Sequence, residues 1–484
     1  MIQDASNLSP ANLKPTVLVI LGFNGNLSTS KLLPALYHLI KNDMLPRQFV
    51  VVGIVRSPKH TLDGIFEQVA DTIARRHDGL VDHLILDKLK AMVRPIIMDS
   101  TNPQDFQNLR GTLDTLDQQL GVALQRLFYL AIPPDIFPSV IQCLTSAGLH
   151  DDSAGVARRI LVEKPFGTDL RSAQELVRVM ATSYKETQIY RIDHYLAKEN
   201  VQNILTFRFN NPLVEDMWGR QFIDHIQISA VEKIGVNERG NFYEGMGALR
   251  DIVQSHLLQL MALVMMEAPE IQVSDSIHRE KFALLQSIES IKPNHVEELS
   301  ARGQYAGYRE EVGNPNSNVE TYAALCLEVA NSRWGGVPVL LRTGKSLIKQ
   351  ETTVNVVFKD RSRRSLPPNL LTIRVQPNEG ISIKLAAKKP GFVNNLQPVN
   401  MDFAYQESFD GDTPDAYERV LIDCILGDQS LFASHEEVMR CWEILQPILD
   451  NWQAKQSQPE VYPVGSWGPE NAQTLAANFG SDWL

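Results

Sequence analysis

The feature that most constrains this chain is the passage from TVLVIL (residues 16 to 21) into GFNGNLSTSKLLPALYHL. A short apolar run behind one threonine, largely β-branched and with no polar alternation, reads as a strand buried on both faces, followed by a glycine turn and a helix. A strand with no wet face needs cover above and below, which parallel sheets obtain from crossover helices. QFVVVGIVR (48 to 56), LQRLFYLAIPP (124 to 134) and RRILVEKPFG (158 to 167) repeat the pattern with helical segments between them. The alternation predicts an α/β, Rossmann-like doubly wound domain over residues 1–190, the architecture that binds dinucleotides.

Beyond residue 200 the pattern changes to strand-like alternation (DHIQISAVEKIGV, VPVLLRT, TTVNVVF, LTIRVQP, GISIKLAAK) among long helical segments. Residues 191–484 are expected to form a larger α+β domain with a mostly antiparallel sheet. A chain of 484 residues with 44% hydrophobic content has enough apolar material for two such cores. KDRSRR (359 to 364) reads as a solvated loop between strands. LLQLMALVMM (257 to 266) is too short to cross a bilayer and reads as a buried helix, so no membrane partner is expected. MIQDASNLSPANLKP lacks the basic and apolar regions of a signal peptide, which points to a cytoplasmic location.

A net charge of -11 gives no diffuse positive field for nucleic acid, so an anionic ligand needs a local group of cations. The four cysteines are far apart and form no metal-ligand spacing; buried thiols are expected, and no metal. The turn Gly22-Phe23-Asn24-Gly25-Asn26-Leu27 precedes a helix, where backbone N–H groups suit a pyrophosphate, although a GxxG alone serves a plain turn equally well. The second strand ends at Arg56-Ser57, with no carboxylate for a free ribose diol, which favours the 2′-phosphate of NADP. Glu163-Lys164-Pro165 places a charged pair at the sheet edge that binds ligands; a surface ion pair is the alternative.

RIDHYLAKE (191 to 199) concentrates anion-binding and proton-moving groups. If a helix begins near Asp193, then His194 and Lys198 share one face with Tyr195 beside them, a compact phosphate site. RDIVQSH (250 to 256) offers a histidine where polar sequence gives way to the apolar helix; such a histidine is more often a satisfied core residue than a base.

Together and in this order the motifs resemble glucose-6-phosphate dehydrogenases over nearly the whole chain. The resemblance is carried by the Gly22 turn, Arg56-Ser57, LFYLAIPP, EKPFG, RIDHYLAKENVQNILTFRF, RDIVQSHLLQL, VPVLLRTGK, VQPNE and KKPG. It implies oxidation of glucose 6-phosphate at C1 to 6-phosphogluconolactone, the first step of the oxidative pentose phosphate pathway, with NADP as acceptor and NAD as a weaker alternative. By resemblance, His256 is the general base, oriented by Asp193. His194, Tyr195, Lys198, Lys164, Glu232, Asp251, Lys345 and Gln376 hold the sugar phosphate. Gly22, Gly25, Asn26, Leu27, Lys31, Arg56, Ser57, Pro133, Lys164 and Pro165 take the cofactor, and the protein is a homodimer or homotetramer.

Three positions depart from the family pattern. Asn26 stands where an aspartate is usual, which removes a carboxylate beside the cofactor. Ala197 replaces a commoner glycine and, in a helix, favours it. Gln350 replaces a basic residue, weakening a phosphate contact, and Gln350-Glu351 lacks the cations that a second, structural NADP site wants. Two other readings share some of these residues. A sugar oxidoreductase of the Gfo/Idh/MocA type also uses an EKP lysine but not RIDHYLAKE or RTGK. A non-catalytic sugar-phosphate or NADP-binding regulator is suggested by Asn26, but the full set of residues for proton and hydride transfer argues against it.

Overall fold

The computed structural model describes residues 9–76, 79–360, 367–409, 413–455 and 457–484. Six strands form the first sheet: β1 (Thr16–Leu21), β2 (Phe49–Val55), β3 (Val93–Ile97), β4 (Gln125–Leu130), β5 (Arg158–Glu163) and β6 (Ile189–Ile192). Their order is β3-β2-β1-β4-β5-β6 and every pairing is parallel. The double burial inferred for TVLVIL is literal. Val17, Val19 and Leu21 enter one hydrophobic core while Leu18 and Ile20 enter another on the opposite face, as a period of two demands. Chain order reverses between β1 and β4, and in such sheets ligands bind at the carboxyl ends beside that switch point.

The second sheet contains β7 (Ile223–Val231), β8 (Ser300–Tyr305), β9 (Tyr322–Leu327), β10 (Val339–Gly344), β11 (Glu351–Phe358), β12 (Leu370–Gln376), β13 (Gly380–Lys388), β14 (Leu396–Ala404) and β15 (Glu460–Tyr462). Its order is β14-β13-β12-β11-β7-β10-β9-β8-β15. Only β7 with β10 and β8 with β15 pair in parallel; the other pairs are antiparallel. β14, at the edge, has a mostly exposed surface.

Residues 416 to 432 return from the far end of the sequence to the first sheet. Tyr417, Val420, Leu421, Ile422 and Ile425 of the helix Ala416–Leu426 share a core with Leu18, Ile20 and Leu36. The other large core is continuous between the sheets, joining Val162 of β5 to Leu257 and Ile226. The two halves are thus fused by apolar burial, at about 25 cal/mol per Å2 removed from water.

LLQLMALVMM is a buried helix over Leu258–Met265, with every residue buried, and no described helix is long and apolar enough to cross a membrane. All four cysteines are buried and free. Of KDRSRR, residues 361 to 364 lie outside the described residues, and Lys359 donates from Nζ to the Arg220 carbonyl at 2.7 Å.

Candidate active site

The carboxyl ends of the strands converge on one cleft of about 1160 Å3. That exceeds the several hundred Å3 that one small ligand fills and leaves room for two. Gly22 follows β1, Ala131 follows β4, Lys164 follows β5 and Asp193 follows β6; from the second sheet, Glu232 follows β7, Lys345 follows β10 and Gln376 ends β12. Strand ends are rigid, so each side chain starts from a well-defined point.

At the inner end His256 is fully buried and Asp193 is 2% exposed. His256 Nδ1 lies 2.6 Å from Asp193 Oδ1, and that oxygen also accepts the Tyr195 N–H at 2.9 Å. Burial alone would raise the Asp193 carboxyl, but His256, then His194 and Lys164, outweigh it and hold it well below the carboxylate range. Burial pulls the His256 imidazole down; Asp193 opposes this and Lys164 adds to it. An ionised Asp193 accepts only, so the neutral imidazole carries its proton on Nδ1 and presents its lone pair at Nε2. Lys164 Nζ sits on that lone pair at 2.7 Å and also donates to the Asp251 carbonyl (2.7 Å) and Oδ1 (3.0 Å). Burial pushes the Asp251 carboxyl up, but the Lys164 ammonium and Arg239 hold it at about 2.

Asp251 and His256 reach one lysine because Leu249–Leu257 is a π-helix. In an α-helix residues five apart point about 140° away from each other; a π-helix closes its hydrogen bond from i to i+5 and brings them onto one side. The second π-helical stretch among the described residues, Ser28–Leu32, carries Lys31 into the same cleft.

Towards the mouth, Lys198 Nζ donates to Gln376 Oε1 and lies 5.0 Å from the centre of the Tyr195 ring. Burial lowers the Lys198 ammonium, partly offset by Glu379 and Asp415. His194 is held neutral chiefly by burial, with His256 and Lys164 adding to the effect. Lys345 Nζ pairs with Glu232 Oε1 at 3.0 Å. Asp193, His194 and His256 also have the spacing of a metal-ligand trio. Both ring nitrogens of His256 are engaged, however, one of them by an ammonium, which opposes a second cation.

Residues 19–203 match the family described as "Glucose-6-phosphate dehydrogenase, NAD binding domain", and residues 205–484 match "Glucose-6-phosphate dehydrogenase, C-terminal domain". The chain belongs to the glucose-6-phosphate dehydrogenase family. Among its relatives, the glucose-6-phosphate 1-dehydrogenase of Chlamydia muridarum is 42% identical, over 97% of this chain and 96% of that one. Glucose-6-phosphate 1-dehydrogenase 2 of Mycobacterium tuberculosis is 38% identical, over 97% and 94%. A solved structure titled as glucose-6-phosphate dehydrogenase in complex with its substrate glucose-6-phosphate superposes with a TM-score of 0.90 at 32% identity, covering 97% of this chain and 99% of that one. A levoglucosan dehydrogenase complex at 10% identity and TM-score 0.51, covering 91% and 97%, shares the fold alone.

Within this glucose-6-phosphate dehydrogenase family member, the cleft brings together Asn26, Leu27, Lys31, Lys164, Glu232 and Asp251 with His194, Tyr195, Lys198, Gln376 and His256. Gly22 has φ +87°, and a Cβ there would lie 2.2 Å from the Ala131 carbonyl oxygen, so the turn can pass this close to β4 only as glycine. A Cβ on Gly25 would sit 3.1 Å from the Gly22 oxygen. Asn26 Oδ1 accepts from Ser30 Oγ at 3.0 Å. Gly22, Gly25, Arg56, Ser57, Pro133, Pro165, Lys345 and Asp193 do not line the cleft itself. Arg56 is exposed just past β2, Pro133 precedes the short helix Pro134–Ile136, and Lys164-Pro165 is a cis bond.

One expectation is corrected. No helix begins near Asp193: residues 194–197 form turns, Lys198 is the N-cap and the helix is Glu199–Phe209. The Asp193 carboxylate accepts from the Tyr195 N–H two residues on, the Asx pattern that bends a chain instead of extending a helix. His194, Tyr195 and Lys198 meet through turn geometry, and Ala197 acts as a buried contact, not a helix former. The sequence paired Glu163 with Lys164 at the ligand-binding edge but gave it no role in the site and did not foresee its partners. Glu163 lines the cleft, accepts from the Tyr129 hydroxyl, is bonded by Tyr417 and is pushed by burial up to about 7. Tyr417 arrives from a helix some 250 positions later, so no local spacing announces it.

Proposed function

We propose that this protein oxidises glucose 6-phosphate at C1, delivers hydride to NADP and releases 6-phosphogluconolactone, the first step of the oxidative pentose phosphate pathway. In this reading residues 1–190 supply the cofactor half and 191–484 the substrate half. The observation that carries it is the buried His256, bonded to Asp193 behind it and to Lys164 at Nε2, lining the same cleft as Lys198.

His256 Nε2 has a single lone pair, so the C1 hydroxyl must displace the Lys164 ammonium before His256 can take its proton. Lys164, still held by Asp251, then turns to the sugar oxygens. Asp193 keeps the proton on Nδ1 and offsets the imidazolium charge as it forms. General-base assistance of this kind contributes about 10² to 10⁴ in rate. His194, Tyr195 and Lys198 take the phosphate, and Glu232, Asp251, Lys345 and Gln376 hold the hydroxyls or assist there. NADP, when bound, supplies the hydride acceptor. The residues fit it: the turn at Gly22, too close to Ala131 for any Cβ, and Gly25 would hold a pyrophosphate through backbone N–H groups, with Asn26, Leu27 and Lys31 of the cleft beside them, Pro133, Lys164 and Pro165 would support the nicotinamide end, and Arg56 with Ser57 would take the 2′-phosphate. NAD serves as a weaker acceptor, and no metal is needed.

A homodimer or homotetramer through the second sheet, where Val399 and Met401 of β14 are exposed, and a cytoplasmic location belong to the same reading. The test is a spectrophotometric assay of glucose 6-phosphate with NADP and with NAD, paired with calorimetric titration of each cofactor. Tight binding without turnover would favour a regulator, and turnover of unphosphorylated sugars alone would favour another oxidoreductase class.

A further inference from the structure

The ring of Tyr195 is placed in a way that phosphate recognition does not require. Its centre lies 4.2 Å from that of His256 with the planes 20° apart, a face-to-face stack. Tyr195 is 8% exposed and His256 fully buried. The tyrosine hydroxyl bonds elsewhere, to Thr352 on β11, so ring and hydroxyl serve different ends. His194 packs edge-on against both rings, at 5.1 Å from Tyr195 and 4.6 Å from His256.

When the base takes a proton, the imidazole becomes a cation at a fully buried position. The groups that meet it come from several elements. Asp193, His194 and Tyr195 come from the loop after β6, Lys164 from the end of β5 and Asp251 from the π-helix itself. Cys441, on the helix His435–Lys455 packed behind, interacts with Asp193. Asp193 answers the charge at the ring edge through Nδ1, and Lys164 opposes it at Nε2. The face of the imidazole is met by the Tyr195 ring, whose π electrons attract a cation within about 6 Å.

We propose that Tyr195 is a positioning residue for the general base: its ring, independently of its hydroxyl, keeps the His256 imidazole in the plane set by Asp193 and stabilises the imidazolium as it forms. The proposal rests on the reading of His256 as base. Phosphate binding through the hydroxyl and support of His256 through the ring are separable properties, because phenylalanine keeps one and loses the other.

The test compares Tyr195→Phe with Tyr195→Leu by the pH dependence of kcat/KM and by nitrogen-labelled histidine NMR of the substrate-free enzyme. Tyr195→Phe is expected to raise KM for glucose 6-phosphate severalfold and leave the acid limb in place. Tyr195→Leu is expected to shift the acid limb and the His256 titration down by about one pH unit, with roughly tenfold lower kcat, the scale of a desolvated cation–π contact. If the leucine variant does not fold, Tyr195→Met fills a similar volume without a π face. Equal profiles for the Phe and Leu (or Met) variants overturn the proposal. His256→Asn separates the two readings: if it retains the acid limb and turnover, the base assignment itself fails, whereas if it is inactive and only the ring variants coincide, the ring proposal alone falls.

Discussion

The inner and outer ends of the cleft are built on opposite principles. At the inner end His256, Asp193 and Asp251 are almost wholly buried; Lys164 bonds His256 and Asp251, and Asp193 bonds His256 from the other side. At the mouth His194, Lys198 and Gln376 are only partly buried, and Lys198 has one neutral partner, Gln376. Buried charges are costly unless each is paired, and breaking one pair leaves the partner stranded; the inner end is therefore preorganised and intolerant. In the proposed reading, the mouth keeps the Lys198 ammonium for a ligand that brings its own negative charge. Reaction needs fixed geometry, and binding needs charge that can change partners.

The strongest way to break this contrast is His256→Asn. It is expected to lower kcat at least about a hundredfold with little change in KM, because asparagine keeps polarity but cannot take the proton. Near-normal turnover in steady-state kinetics would remove His256 from the base role.

The mouth should fail differently. Lys198→Ala is expected to raise KM for glucose 6-phosphate much more than for glucose, since a charged hydrogen bond contributes roughly 1.5 to 3 kcal/mol. Equal effects on the two sugars would detach Lys198 from the phosphate.

Acid sensitivity sharpens the comparison. The Asp251 carboxyl is held at about 2 in the fold against roughly 3.9 in an unfolded chain. Its ionised form therefore stabilises the protein fully above about pH 4, and that share, roughly 2 kcal/mol, is lost as pH falls through about 2. Asp251→Asn should flatten the dependence of unfolding free energy on pH between these values; an unchanged slope would mean that Lys164 does not stabilise the carboxylate.

The smallest effect is expected farthest out. Arg56 is exposed, so Arg56→Ala should reduce kcat/KM for NADP by roughly tenfold to a hundredfold, towards the lower end because solvent screens the contact, with little change for NAD. A wild-type preference for NAD, or equal losses for both cofactors, would sink the assignment of Arg56 to the 2′-phosphate.

Much of this molecule was legible before folding. TVLVIL, FVVVGIV and the ILV centre of RRILVE are short, β-branched apolar stretches that read as strands covered on both sides, and all three lie in the parallel sheet. The GxxG at Gly22 served a plain turn equally well in the sequence; only the fold shows that its approach to β4 excludes any Cβ. RIDHYLAKE marked the site but not its local form, since Asp193 spends its carboxylate on a turn where helix periodicity looked equally good. RDIVQSH did not reveal that Asp251 and His256 share a lysine, because the spacing of five is unproductive in the helix that sequence patterns assume and productive only in a π-helix.

What the sequence determined by itself is what depends on neighbours along the chain: strand burial, turn chemistry and the presence of proton-moving and anion-binding groups in two short motifs. Only the tertiary structure decided which of these groups meet. The bond between Asp193 and His256 spans 63 positions, and that between Lys198 and Gln376 spans 178. Tyr417 reaches Glu163 from a helix returned to the first sheet by apolar burial. Contacts of that kind form because two sheets share a core, and a shared core is a property of the whole packed chain, with no local period through which a sequence can announce it.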